Sequence, residues 1–218
     1  AIKTPGDLVF NLVEDDNWEL YVTVGLALED MGRVQVGHDK TSFQYVTHKA
    51  GIKRQMKKLG IRTPKSIIVD RQSNLKHTLT YPVIVKPSEQ HAGIGISQAS
   101  IVNDDAALKQ QAETIFKKFP GEIILEEFIR GREIHVTVIG NGENLVVLPF
   151  CEIGYGEKSQ NAWNIYSYNA KWDKNSWEYW NARVHAPADL SPKLKETIET
   201  LARQVFNAFY CRDIVRID

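Results

Sequence analysis

With 27 Lys+Arg set against 27 Asp+Glu in 218 residues, the chain has no net charge to draw it to nucleic acid or an anionic membrane. Its 43% apolar and 25% charged residues suit a globular protein with a sizeable core, and no apolar run approaches the roughly 20 residues of a membrane helix. No basic start leads into an apolar stretch, so no signal peptide is read; Cys151 and Cys211, far apart and without metal spacing, read as buried thiols of a reducing compartment.

The first element is a short strand in DLVFNLV, Asp7 to Val13. YVTVGLALEDMG is ambiguous: its length and Gly32 favour a helix, while Val22, Thr23 and Val24 favour a strand. Thr47 to Leu59 predicts a helix capped by Thr47, with Ile52, Met56 and Leu59 on one face and Gly60 as its stop. PKSIIV and YPVIVKP predict strands. Asn103 to Phe119 predicts an amphipathic helix with Leu108, Ala112, Ile115 and Phe119 on its apolar face. EIILEEFI and REIHVTVIG predict strands hinged at Gly131, and ENLVVLPFCEI another after the turn GNGE. Ser191 caps and Pro192 opens a last helix with the stripe Leu194, Ile198, Leu201, Val205 and Phe209; DIVRID is a final strand. Interspersed strands and helices make the class α/β or α+β. The chain opens at Ala1 inside a loop-to-strand pattern and stops at Asp218 in mid-strand, as expected of a piece of a longer protein.

Four stretches carry chemistry, each with a plainer alternative. In KPSEQHAGIGIS, Gly93 and Gly95 permit positive φ, so successive N–H groups can face an anion beside Lys86; a hairpin turn is the plainer reading. In LEEFIRGREIHV, Glu126, Glu127 and Glu133 need partners if buried, such as a sugar hydroxyl or an adenine amine, and none if they face solvent. In YSYNAKW, Lys171 among aromatics is either a site lysine or the snorkelling stem of a surface strand. In RID, Arg216 and Asp218 share a strand face, suiting an anion and a metal, or simply a salt bridge.

Taken in order, these stretches resemble the ATP-grasp ligases, and within them the D-alanine–D-alanine ligases. The resemblance covers nearly the whole chain, over DLVFNL, THKAGIKRQMKKLGIRTPKSIIV, YPVIVKPSEQHAGIGIS, ILEEFIRGREIHVTVIG, YNAKW with HAPADLSPKL, and CRDIVRID. It implies an ATP-grasp fold of two α+β subdomains gripping ATP. Residues 1–40 would be the remnant of an N-terminal Rossmann-like domain, 41–128 the central lid subdomain, and 129–218 the C-terminal subdomain. It further implies that Lys49 and Lys86 contact phosphates under a lid formed by Ala92, Gly93 and Gly95. Glu126, with the backbone of Glu127, Phe128 and Ile129, would hold adenine, and Glu133 ribose. Lys171 would face the γ-phosphate or acyl phosphate, Arg216 would stabilise the oxyanion, and Asp218 would bind Mg2+ or Mn2+. The chain departs from the family at Ala92 and Gly93, where a serine pair is usual, and at Trp172, which replaces a tyrosine of the lid network. The family's other metal ligands, a Glu and an Asn, and its D-alanine-gripping glutamate fall outside residues 1–218.

The implied activity is an ATP-dependent carboxylate–amine ligation through an acyl phosphate, in the cytoplasm, for peptidoglycan and cell wall synthesis. The partners are small molecules: ATP and an amino acid or short peptide. Neither nucleic acid nor membrane is expected, and a homodimer is common in the family. The alternatives are a ligase or kinase with another small-molecule acceptor, or a nucleotide-binding domain without catalysis.

Overall fold

The computed structural model describes residues 8–13, 18–46, 48–157 and 162–218. The elements in order are β1 (Val9–Phe10), α1 (Glu19–Asp30), β2 (Gln35–Val36), α2 (Lys40–Val46), α3 (Lys49–Lys58), β3 (Ser66–Val69), β4 (Val83–Pro87), β5 (Ile101–Val102), α4 (Asp105–Lys118), β6 (Ile123–Glu127), β7 (Glu133–Asn141), β8 (Asn144–Val147), β9 (Cys151–Tyr155), α5 (Tyr168–Trp172), α6 (Trp177–Asn181), β10 (Ala182–His185), α7 (Pro192–Ala208) and β11 (Asp213–Ile217). The class is mixed α/β, as the sequence predicts. The chain forms two compact units: Ala1–Thr47 with Glu133–Glu152 and His185–Asp218, and His48–Arg132 with Ile153–Val184. Strands β9 and β10 carry the chain across this division.

The second unit is built on an antiparallel sheet of order β3-β6-β4-β5. Strand β6 is central and buried along Ile123–Glu126, which explains its almost unbroken apolar run. In β4, Val83, Val85 and Pro87 are buried while Ile84 and Lys86 point the other way. The β4 and β6 core residues meet α4 through Leu108, Ala112, Ile115 and Phe116. Phe119, predicted on that stripe, is instead the C-cap and packs on the edge of the cluster. Asp104, one residue inside the predicted start, caps α4 by accepting Ala107 N–H at 2.8 Å. Helix α3 is as predicted in position, but its N-cap is His48, without a side-chain cap, and Thr47 lies outside the described residues. Ala50 is its buried residue, whereas Leu59 is exposed, beyond the helix end.

In the first unit, β7 pairs antiparallel with β8 and with β11, Arg216 lying opposite Thr137 and Ile217 opposite Val136. Their inward residues, with Phe150, Ala188 and Leu190, close on Ala202 and Phe206 of α7. Ser191 caps and Pro192 opens α7 as predicted, but the buried face runs through Ala202 and Phe206 to Phe209. Leu194 and Leu201 are exposed. The ambiguous segment is helix α1: Gly32 ends it at φ 66°, and Gly25 lets α2 close in, since a Cβ there would lie 2.6 Å from Phe43 Cζ. β1 pairs parallel with β2 through Val9–Phe10 only, shorter than the predicted strand, whose Asp7 lies outside the described residues. ENLVVLPFCEI is two strands, β8 and β9, rather than one. The cysteines are free thiols, half-buried rather than buried, and burial pushes Cys211 up to about 11.

The β7–β8 turn depends on one glycine. Gly140 has φ 118°, and a Cβ there would collide with the Asn144 carbonyl oxygen. Gly140→Ala is therefore expected to cost about 3 kcal/mol, combining a glycine-only conformation with a backbone clash. Urea denaturation checks this, and an unchanged midpoint would contradict it.

Candidate functional site

The site in the second unit starts from strand register. Lys86 sits opposite Ile124 and Ile84 opposite Glu126, so Lys86 and Glu126 are diagonal neighbours on the face of the sheet turned away from α4. The Lys86 ammonium donates to Glu126 Oε1 at 2.8 Å. The other carboxylate oxygen, Oε2, is ion-paired with Lys53, which also donates to Thr63 Oγ1 and, at 3.1 Å, to Pro64 O. Glu126 is only 8% exposed. Burial pushes its carboxyl up, but Lys86 and Lys53 outweigh that and hold it below its ordinary value. Lys53 was not among the residues singled out from sequence. Its signal was present all the same: it lies one helical turn from Lys49 and shares its face of α3.

Lys49 opens α3 next to this pair. Its backbone N–H donates to Ser88 O at 3.3 Å, and Ala50 N–H donates to Ser88 Oγ at 3.2 Å. Ser88 N–H in turn donates to Glu122 O at 3.0 Å. Ser88, fully buried and also missed from sequence, thus fastens the start of α3 to the end of β4. The Lys49 Nζ is buried and has no hydrogen-bond partner among the described residues. Burial, with the charges of Lys86 and Lys171, lowers its pKa to about 8. A buried ammonium without a counter-charge is costly. This cluster of lysines is suited to an anion, and phosphate chemistry fits it.

The glycine loop follows Ser88. Ala92, Gly93 and Gly95 all have positive φ, at 53°, 85° and 78°. The amides of Ile94 and Ile96 close turns onto His91 O and Gly93 O. Gly93 lies so close to α5 that a Cβ would sit 3.0 Å from Tyr168 N; a Cβ on Gly95 would press on Pro87 and Phe119. Trp172 Nε1 donates to Ala92 O at 3.0 Å, and Tyr168 N donates to Ile96 O at 3.3 Å. So the loop is fastened to α5 by an indole–carbonyl bond.

Lys171 is on helix α5, not on a surface strand, with its ammonium 4.9 Å from the Tyr166 ring centroid. Ser167 caps α5 by accepting Ala170 N–H and donates to the buried Glu178 at 2.6 Å. Beyond Glu126, the amides of Glu127 and Phe128 are committed to Lys65 O and Pro82 O. The Glu127 carboxylate accepts Thr80 N–H at 2.9 Å. Phe128 meets Trp163 edge-on at 5.4 Å, with Arg130 over the same indole at 4.2 Å. Ile129 is 62% exposed.

Glu133, Arg216 and Asp218 belong to the first unit. Arg216 and Asp218 form a two-pronged ion pair, Nε–Oδ1 at 2.8 Å and Nη2–Oδ2 at 3.2 Å. His135, not singled out from sequence, is 3.2 Å from Glu133 Oε1 and 3.8 Å from Asp218 Oδ1. Among the described residues no group of three or more His, Cys, Asp or Glu could hold a metal ion. Asp218 faces Arg216, so these residues do not by themselves form a metal cradle. No helix among the described residues is long and apolar enough to cross a membrane.

The comparisons converge. A family model described as "D-ala D-ala ligase C-terminus" matches residues 47–218. Uncharacterized protein y4sG of Sinorhizobium fredii is 31% identical over 99% of this chain and 61% of its own length. A D-alanine–D-alanine ligase of Acetivibrio thermocellus is 30% identical over 97% of this chain and 54% of its own. The chain thus spans less than two thirds of these relatives. D-alanine–D-alanine ligase from Bacillus anthracis, solved in complex with ATP, superposes with a TM-score of 0.73 at 22% identity, covering 97% of this chain and 62% of that one. VanG D-Ala:D-Ser ligase from Enterococcus faecalis gives 0.72 at 24% identity, covering 96% and 58%. These structures share the ATP-grasp fold, and the family model, matching residues 47–218, shows that this chain belongs to the D-alanine–D-alanine ligase C-terminal family.

Proposed function

We propose that this chain is the nucleotide-binding part of an ATP-dependent ligase that joins a carboxylate to an amine. The carrying observation is Lys49: a buried ammonium without a partner, beside Lys86 and Lys171, all in the unit that holds the positive-φ glycine loop. ATP supplies the anion. Lys49 and Lys86 take its phosphates, the 92–95 loop covers them, and Lys171 faces the γ-phosphate. Adenine lies along the Glu126–Ile129 strap. The Glu127 and Phe128 amides are already used and the Glu126 carboxylate serves the lysines, so the main-chain donor left for the base is Ile129. Glu133 takes the ribose.

The reaction proceeds by attack of a carboxylate oxygen on the γ-phosphorus, releasing ADP and leaving an acyl phosphate. The amine attacks the acyl carbon, a proton leaves the nitrogen, and the tetrahedral adduct collapses to an amide and inorganic phosphate. Lysine charge neutralises the transferring phosphoryl group and Arg216 the oxyanion. Asp218 would offer a carboxylate to Mg2+ or Mn2+, which when bound would neutralise charge on the phosphates. D-alanine, for which the relatives are named, is the acceptor class of this proposal, with peptidoglycan synthesis in the cytoplasm as its setting and a homodimer as its assembly. Segments 41–128 and 129–218 are the two subdomains of this proposal, with residues 153–184, Lys171 among them, folding with 48–132.

Thermal unfolding with ADP tests the nucleotide reading. At a hundredfold excess over Kd the expected stabilisation is about 2.7 kcal/mol; an unmoved melting temperature would overturn the assignment. In addition, Lys86→Ala should weaken ADP binding by roughly 10- to 150-fold, the range of a charge-assisted contact worth about 1.5–3 kcal/mol. The fold should survive, because Glu126 retains Lys53. Wild-type affinity in the folded variant would place Lys86 outside the site.

A further inference from the structure

We infer that Lys53 is a positioning residue for the nucleotide site: by taking one oxygen of Glu126 it keeps Lys86 available to phosphate. The inference rests on the nucleotide reading above and deepens it.

The geometry is a three-member chain, Lys53–Glu126–Lys86, buried between α3 and the β4–β6 pair. Side-chain exposures are 11% for Lys53, 10% for Glu126 and 18% for Lys86, so water screens these charges poorly. Each carboxylate oxygen has its own ammonium. Lys53 is further pinned by Thr63 Oγ1 and Pro64 O. Lys53 is therefore the fixed cation. Lys86, at the end of β4 where the glycine loop begins, is the one able to turn to a ligand.

The charge count explains the arrangement. Glu126 carries one negative charge and faces two positive ones. With Lys53 in place its attraction is divided, and an incoming phosphate competes for Lys86 against a half-satisfied carboxylate. Without Lys53 the whole buried charge falls on Lys86, which is then held as a closed ion pair, and the site loses one unit of positive potential. Lys53 never has to touch nucleotide for this effect. Its ammonium faces Glu126, Thr63 and Pro64, not the glycine loop.

The test is calorimetric titration of the 218-residue chain and its variants with ADP and with adenosine, alongside ligand-free melting curves. Lys53→Gln keeps a donor for Thr63 and Pro64 but removes the charge. It should weaken ADP at least tenfold and change adenosine less than twofold, while Lys53→Arg should stay within threefold of wild type for both. Glu126→Gln added to Lys53→Gln restores the wild-type net charge and releases Lys86, so the double variant should recover ADP affinity to within about threefold. If Lys53→Gln does not fold alone, the double variant decides on its own by the same threefold criterion. Equal losses for ADP and adenosine would reduce Lys53 to a scaffold residue. A double variant still tenfold weak for ADP would mean that Lys53 meets phosphate itself. Either result overturns the inference, and a wild-type chain that binds no ADP overturns the underlying nucleotide reading with it.

Discussion

Lys49→Met should weaken ADP binding by roughly 10- to 150-fold and at the same time raise the stability of the ligand-free protein. The two signs have one cause. The Lys49 ammonium is buried, unpartnered and pressed by Lys86 and Lys171, so the fold pays to hold it charged. Its folded pKa of about 8 lies below the ordinary 10.5. The penalty is therefore fully present below pH 8 and fades as pH rises from 8 toward 10.5, where the unfolded chain binds the extra proton. Methionine keeps much of the stem and removes the charge, so a gain of about 2 kcal/mol at pH 7 is expected, shrinking toward pH 10. Phosphate wants the charged form, so wild-type affinity for ADP should fall above pH 8 while that of the variant stays flat by comparison. Melting curves and ADP titrations from pH 7 to 10 check both halves. A Lys49→Met protein less stable than wild type at pH 7, with undiminished ADP affinity, would remove Lys49 from the site.

Glu126→Gln should be the most damaging single change to folding. It leaves Lys53 and Lys86 buried around a neutral amide, with Lys49 nearby. Removing one partner of a buried ion pair costs about 3–5 kcal/mol. The sign with pH follows from the lowered pKa of Glu126. Its contribution is complete above the ordinary value of 4.5 and is lost as pH falls through the lower folded value. Wild type and variant should therefore differ most at neutral pH and converge in acid. Urea denaturation at pH 7 and near pH 3 measures this, and equal midpoints at pH 7 would show that the pairs contribute nothing net.

Much of this architecture was legible in the sequence because local signals agreed with tertiary ones. Helix α4 has its cap and stripe, α7 its Ser-Pro start, and β4 its alternation ending in Lys86. Legibility failed where a partner comes from elsewhere in the chain. The β-branched run Val22–Val24 left α1 undecided, and what resolves it is Gly25 meeting Phe43 across a helix contact. Of the α7 stripe, Phe209 is buried and Ile198 packs on the cluster, but Leu194 and Leu201 are exposed and Ala202 and Phe206 complete the buried face. Lys171 sits on a short helix because Ser167 caps it and Glu178 holds the cap, a bond spanning eleven residues. The lysine positions could be read, but the sharing of Glu126 between two of them could not, since it depends on the β4–β6 register. In the lid, the Trp172–Ala92 bond comes from a residue eighty positions away.

Calorimetric titration of the 218-residue chain with ADP at pH 8, in two buffers of different ionisation enthalpy, shows whether the buried lysine cluster is a phosphate site. At that pH Lys49 is about half protonated, and phosphate should draw it fully charged, so binding should take up about half a proton in the wild type and close to none in Lys49→Met. Absence of ADP binding, or proton uptake that Lys49→Met leaves unchanged, would show that the lysine cluster does not hold phosphate.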